Sequence, residues 1–184
     1  MAVLNDEVWV TSLANNEVTP IDVHTGTAGT PIELLAGAVR VAAGYGSLWV
    51  TGTTDVLTRV TPGAGAAPAT QKTVTVGQVP IGVATGADAV WVANSADGTV
   101  SKVSPTSVMV TKTIHVGGDP LSLGVSGGNV YLGDGTAQTV RTVWPTPGSK
   151  TLNLGTDPRA LLPVGVGVWV AASNPGRVLA LAPS

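Results

Sequence analysis

The side chains most able to do chemistry in this chain are oxygen-bearing and sit in loops: Asn15, Asn16, Asp55, Asn94, Asp97, Asp119, Asp134, Asp157 and Asn174. Gathered at one end of a repeating fold, such a ring would suit Ca²⁺ or Mg²⁺, which take oxygen ligands. Taken singly, each is what a tight turn requires, because Asn and Asp accept positive φ and bond their own backbone. Acid–base chemistry needs more than this. The only glutamates are Glu7, Glu17 and Glu33, and only Glu17 lies in such a loop. His24 and His115 fall away from these loops and read as solvated side chains. The chain has no Gly-x-Ser-x-Gly nucleophile motif and no phosphate-binding loop, and its glycines are scattered at turns. With no cysteine, thiolate zinc sites and disulfides are excluded. No catalytic residue is assigned.

A second set is more pointed. Val39, Ile81, Leu121 and Arg159 occupy equivalent places at the start of an apolar run, the last three directly after a proline. Asp119 and Asp157 stand just before their prolines, and Arg40 is one place further on in its own repeat. An apolar rim with a cation and flanking carboxylates fits a peptide or a small amphipathic ligand. The bland alternative is ordinary packing, with Arg159 paired to Asp157. Together with the loop residue Asn94, these positions are the candidate ligand-binding set.

What must position them is a repeat. Aromatics sit at Trp9, Trp49, Trp91, Tyr131 and Trp169, at intervals of 40, 42, 40 and 38 residues. Each is the centre of a short apolar run such as Val90-Trp91-Val92. A constant period of this length marks a repeat architecture. Helical periodicity is nearly absent, and β-branched runs separated by Gly, Pro, Asn and Asp read as strands and turns. The third repeat shows the unit: Ile81–Ala84, Ala89–Ala93, Thr99–Ser104 and Val108–Val116, with Asp97-Gly98 supplying a hairpin turn. Four strands per period predict an all-β chain, a β-propeller of about five four-stranded blades over approximately 2–36, 37–77, 78–117, 118–155 and 156–184. The last blade lacks its outer strand. The second strands, apolar throughout, are expected to be buried on both faces between blades. Trp144 falls outside the aromatic column and reads as an edge or surface residue.

The stretch Val90-Trp91-Val92-Ala93-Asn94-Ser95-Ala96-Asp97-Gly98-Thr99-Val100-Ser101-Lys102-Val103 closely resembles the YVTN/NHL-type propeller repeat, in the form seen in YncE-like proteins and the sensor propellers of actinobacterial Ser/Thr kinases. The resemblance covers nearly the whole chain. It implies blades and carries almost nothing about chemistry. Relatives of this type usually have six or seven blades. A compact five-bladed ring is the favoured expectation, ahead of a fragment that closes by pairing with another copy. The exposed third strand of the last repeat, Val178 to Leu181, would be the docking edge of such a homo-oligomer.

Composition narrows the partners. Charged residues are 11% of the chain against a usual share of about 25%. The net charge is −2 and the basic residues are scattered, which excludes a nucleic-acid groove. No apolar run is long enough for a spanning helix. The cysteine-free, Thr-rich surface leans extracytoplasmic. Three functions remain in order of preference: a non-catalytic binding or sensing propeller for a protein, peptide or small molecule; a metal-dependent lyase- or lactonase-like enzyme; and a truncated or engineered propeller with no evolved ligand.

Overall fold

A computed structural model describes residues 1–63, 69–148, 150–165, 167–173 and 176–181. The chain forms five antiparallel sheets in sequence order, each a meander that starts at a central channel and runs outward. Blade 1 holds β1 (Ala2–Leu4), β2 (Glu7–Ser12), β3 (Glu17–Asp22) and β4 (Ile32–Glu33). Blade 2 holds β5 (Arg40–Gly44), β6 (Ser47–Thr51), β7 (Val56–Thr61) and β8 (Thr70–Thr75). Blade 3 holds β9 (Pro80–Gly86), β10 (Ala89–Asn94), β11 (Thr99–Ser104) and β12 (Met109–His115). Blade 4 holds β13 (Pro120–Ser126), β14 (Asn129–Asp134), β15 (Thr139–Trp144) and β16 (Thr151–Asn153). Blade 5 has three strands, β17 (Pro158–Val164), β18 (Gly167–Ala172) and β19 (Arg177–Leu181). The molecule is a five-bladed β-propeller with a three-stranded last blade, as the repeat predicts. No described helix is long and apolar enough to cross a membrane.

The turns that join inner to second strands are set locally. In blades 1 to 4 they are two-residue loops with both central residues at positive φ: Asn5 and Asp6, Tyr45 and Gly46, Ala87 and Asp88, Gly127 and Gly128. This hairpin geometry matches the right-handed twist of the strands it connects. It also fixes the register, so that each aromatic falls on the face of its blade that meets the next one.

The aromatics seal the seams. Trp9 packs with Leu48, Val50 and Val60 of blade 2, and Trp49 with Val90, Val92 and Val103 of blade 3. Trp91 meets Val130, Leu132 and Val143 of blade 4, and Tyr131 meets Val168 and Val170 of blade 5. All four rings are buried. Two indoles also bond their own blade: Nε1 of Trp49 donates to the Gly44 carbonyl at 3.1 Å and Nε1 of Trp91 to that of Gly86 at 3.0 Å. A buried ring that both fills volume and satisfies its polar edge fixes one packing geometry.

The fifth seam differs. Trp169, the same position in blade 5, is 45% exposed, and Leu162, Val164 and Val178 beside it are exposed as well. Across the gap Val3 and Val10 of blade 1 are exposed too, whereas Val50 and Val92, which match Val10, are at 0%. Among the described residues β17 and β1 make far slighter contact than β1 with β5, β5 with β9, β9 with β13 or β13 with β17. The expectation that every second strand is buried on both faces therefore holds for β6, β10 and β14 and not for β2 and β18. The reason is geometric: an interior strand has a blade on each side, and these two have one.

Trp144, expected as an edge or surface residue, ends β15 and is partly covered. It is half-buried at the blade 3–blade 4 seam, with its ring centroid 5.5 Å from that of Trp91 at a 44° tilt. The Lys102 and Lys112 ammonium groups lie 4.3 and 5.0 Å from its centroid. Cations over an indole face are attracted by its quadrupole, so this corner is stacked and charged rather than bare.

Candidate functional site

The inner strands β1, β5, β9, β13 and β17 converge on a channel of about 850 Å³. Convergence demands small residues, and the inner strands supply Ala42, Ala84, Gly82, Gly124 and Ser122. At Gly82 a Cβ would stand 3.1 Å from both Ala93 Cβ and the Leu121 carbonyl, so a larger residue would push two blades apart. The wall also includes Val41, Val83, Leu123, Val125, Leu161, Thr11 and Thr85, with main-chain polar groups making up much of what the channel exposes.

The mouth at the loop end is shaped by bulges. In blade 3 the ladder pairs Pro80 with Asn94 and then Gly82 with Ala93, leaving Ile81 out. Blades 4 and 5 skip Leu121 and Arg159 in the same way. A bulge frees one residue from the ladder and re-aims it. Of the four residues placed at this position, Val39 and Ile81 line the channel. Leu121 is nearly buried and lies against Gly135 of its own blade, away from the channel. Arg159 is exposed on the rim, where its guanidinium donates to Asp157 Oδ2 at 2.9 Å. Arg40 leaves β5 opposite Thr51 and crosses the mouth, its guanidinium reaching the Arg159 carbonyl at 3.4 Å. Arg40, Arg159 and Asp157 are thus brought together by blades that are not neighbours, and the group carries one positive charge in excess.

The other loop residues are engaged within the fold. Asn94 is fully buried, with Nδ2 donating to Thr99 Oγ1 at 2.9 Å and Ser101 Oγ at 3.0 Å. Asp97 accepts from Thr99 Oγ1 at 2.6 Å and from the Gln78 N–H at 3.0 Å. Asp55 accepts from the Val79 N–H at 3.2 Å. Asp119 accepts a bond from Ser95 Oγ, and its own N–H donates to Asp134 at 3.2 Å. Asp134, almost wholly buried, also takes the Ala137 N–H at 3.0 Å and pairs with Arg141 at 3.3 Å. Asn15 Nδ2 donates to Glu17 Oε1 at 3.0 Å. Asn174 lies outside the described residues. Among the described residues no three His, Asp or Glu side chains are grouped to hold an ion. The two histidines are exposed: His24 follows β3 and His115 ends β12. Beside His24, Asp22 accepts the N–H groups of Thr25 and His24, which hold its carboxyl below the usual carboxylate range.

Two features were not visible as signals in the chain. Hydroxyls on inner and second strands tie blades together near the channel: Thr51 Oγ1 to the Ile81 carbonyl, Ser122 Oγ to that of Pro158 at 2.8 Å and Thr85 Oγ1 to that of Ala43 at 2.7 Å. The Asp134–Arg141 pair is the other. A Ser or Thr in an apolar strand is the only clue to the first, and nothing in the local sequence singles out the second.

No protein-family model matches the chain, and no curated protein matches it in sequence. Solved structures do match. A catalytically inactive virginiamycin B lyase from Staphylococcus aureus, with quinupristin, superposes with a TM-score of 0.75 at 15% identity over 94% of this chain and 61% of the lyase. A functionally unknown protein from Desulfotomaculum acetoxidans gives 0.77 at 15% identity over 97% of this chain and 65% of its own. A putative 6-phosphogluconolactonase from Bacteroides uniformis gives 0.75 at 16% identity over 98% and 65%. The chain therefore spans less than two thirds of the length of these structures. At such identities the likeness is one of fold, and the chain is a β-propeller built from repeats.

Proposed function

We propose that this propeller is a non-catalytic binding or sensing domain of the YVTN/NHL repeat type, and that its contact surface is the channel mouth at the loop end. The observation that carries the reading is the division of labour there. The loop carboxylates Asp55, Asp97, Asp119 and Asp134 are spent on main-chain N–H groups, two hydroxyls and Arg141. Meanwhile a channel lined by aliphatic side chains, small hydroxyl residues and main-chain polar groups opens beneath Arg40, with Arg159 on its rim. A concave, mostly apolar site with a few convergent polar groups is the usual form of a ligand pocket.

The test is a ligand screen read by methyl NMR, using short apolar peptides with free carboxyl ends. Shift changes are expected at Ile81, Val41, Val83, Leu123 and Leu161, with the outer strands β8 and β12 unmoved. Changes confined to the outer strands would place the contact elsewhere and overturn the reading. The enzyme alternative is separated by metal analysis of the purified protein, where stoichiometric Ca²⁺ or Mg²⁺ would favour a lyase- or lactonase-like activity.

A further inference from the structure

We propose that the channel takes an amphipathic molecule with a single carboxylate head, held by Arg40, with its apolar body running down between the inner strands. This rests on the binding reading above and names its ligand class.

The charge pattern of the channel carries the inference. Among the described residues its lining contains one ionisable side chain, Arg40, and otherwise aliphatic residues, glycines and small hydroxyl residues, with the terminal residue Met1 at its edge. The ion pairs among the described residues are Arg141 with Asp134 and Arg159 with Asp157, so Arg40 has no carboxylate within salt-bridge distance there. Its bond to the Arg159 carbonyl, at 3.4 Å, is long for an N–H···O contact. Arg40 is half-buried. A guanidinium has N–H donors in a planar fork, and the one weak bond to the Arg159 carbonyl leaves the others available to a ligand at the mouth. A ligand carboxylate engages them with two parallel bonds, stronger than neutral ones. Asp157 cannot serve instead, because its carboxylate is already bonded to Arg159.

The body of the ligand follows from the wall. Below Arg40 the channel is lined by Val83, Val125, Leu161 and main chain, with Val41 and Leu123 largely buried in the seams beside it, and among the described residues no carboxylate or ammonium side chain lines it to meet a second charge. Its volume of about 850 Å³ accommodates a chain of several methylenes with room to spare. A dianion would find no second cationic side chain among the described lining residues, and a cationic ligand would be repelled at the mouth. A single anionic head on an apolar body is the class that satisfies both ends.

The test uses octanoate and octan-1-ol, which share a tail and differ in the head, titrated into the whole chain by calorimetry and methyl NMR. Octanoate is expected to shift the Val41, Val83 and Leu123 methyls and to bind at least about tenfold more tightly than octan-1-ol, the range of a charge-assisted bond. Arg40→Met is expected to remove that preference and to leave octan-1-ol affinity within about twofold, since the aliphatic wall is untouched. Arg40→Lys, which keeps the charge and loses the fork, is expected to fall between. Thermal melting of each variant checks that the fold is retained. Equal affinity for acid and alcohol in the unsubstituted protein, or a preference that survives Arg40→Met, would overturn carboxylate recognition and leave the channel as a binding site. No methyl shift with either compound would overturn the inference, and a silent peptide screen alongside it would remove the channel reading as well.

Discussion

Trp91→Ala is expected to destabilise the protein by about 3–5 kcal/mol, against roughly 1 kcal/mol or less for Trp169→Ala. Both tryptophans sit at the centre of a Val-Trp-Val run at the same repeat position. Trp91 is at 0% exposure, packs on blade 4 and bonds the Gly86 carbonyl. Its removal opens a cavity that two rigid sheets cannot collapse, and it strips Trp144 of its stacking partner. Trp169 is 45% exposed against open space, so truncating it vacates little that was closed. Denaturant unfolding of the two variants checks the contrast: midpoints should separate widely, with similar slopes. Equal losses would mean that the fifth seam is sealed like the rest.

Asp134→Ala is the second large effect, at about 3 kcal/mol. Asp134 is almost wholly buried and one carboxylate there answers three groups: the Asp119 and Ala137 N–H groups and the Arg141 guanidinium. Breaking a buried pair from one side typically costs about 3–5 kcal/mol because the partner is left unmatched. Arg141 retains 27% side-chain exposure and also donates to the Val116 carbonyl, which puts the loss at the lower end. Adding Arg141→Met to Asp134→Ala should cost less than the sum of the two single changes, and a double-mutant cycle measures that coupling. Strict additivity would show the pair to be incidental.

The blade repeat was legible because inter-blade packing asks for the same thing at every seam. An aromatic flanked by β-branched residues, a two-residue turn before it and an Asn or Asp loop after it recur with the blade, so period and strand number could be read together. The burial of individual aromatics could not. Trp169 and Trp91 look alike in sequence, and what separates them is the presence or absence of a facing sheet, which is a property of the closure and not of the strand. The candidate site was legible in part for a similar reason. Arg40, Arg159, Asp157, Val39 and Ile81 are placed at the mouth by strand starts, which the repeat locates. Asn94 and Leu121 share those starts and loops, yet side-chain direction takes them into the blade. An Asn that holds a turn and an Asn that meets a ligand are the same residue with different neighbours. Only tertiary contacts distinguish them.

Radial sheets stacked by their aromatics create the channel and its mouth. Fluorine NMR of protein labelled with 5-fluorotryptophan, with a soluble paramagnetic quencher, tests that stacking most directly. The resonances of Trp9, Trp49 and Trp91 should stay sharp at quencher levels that broaden Trp169, with Trp144 between them. Broadening of Trp49 or Trp91 as readily as Trp169 would contradict the stacked blades and, with them, the channel.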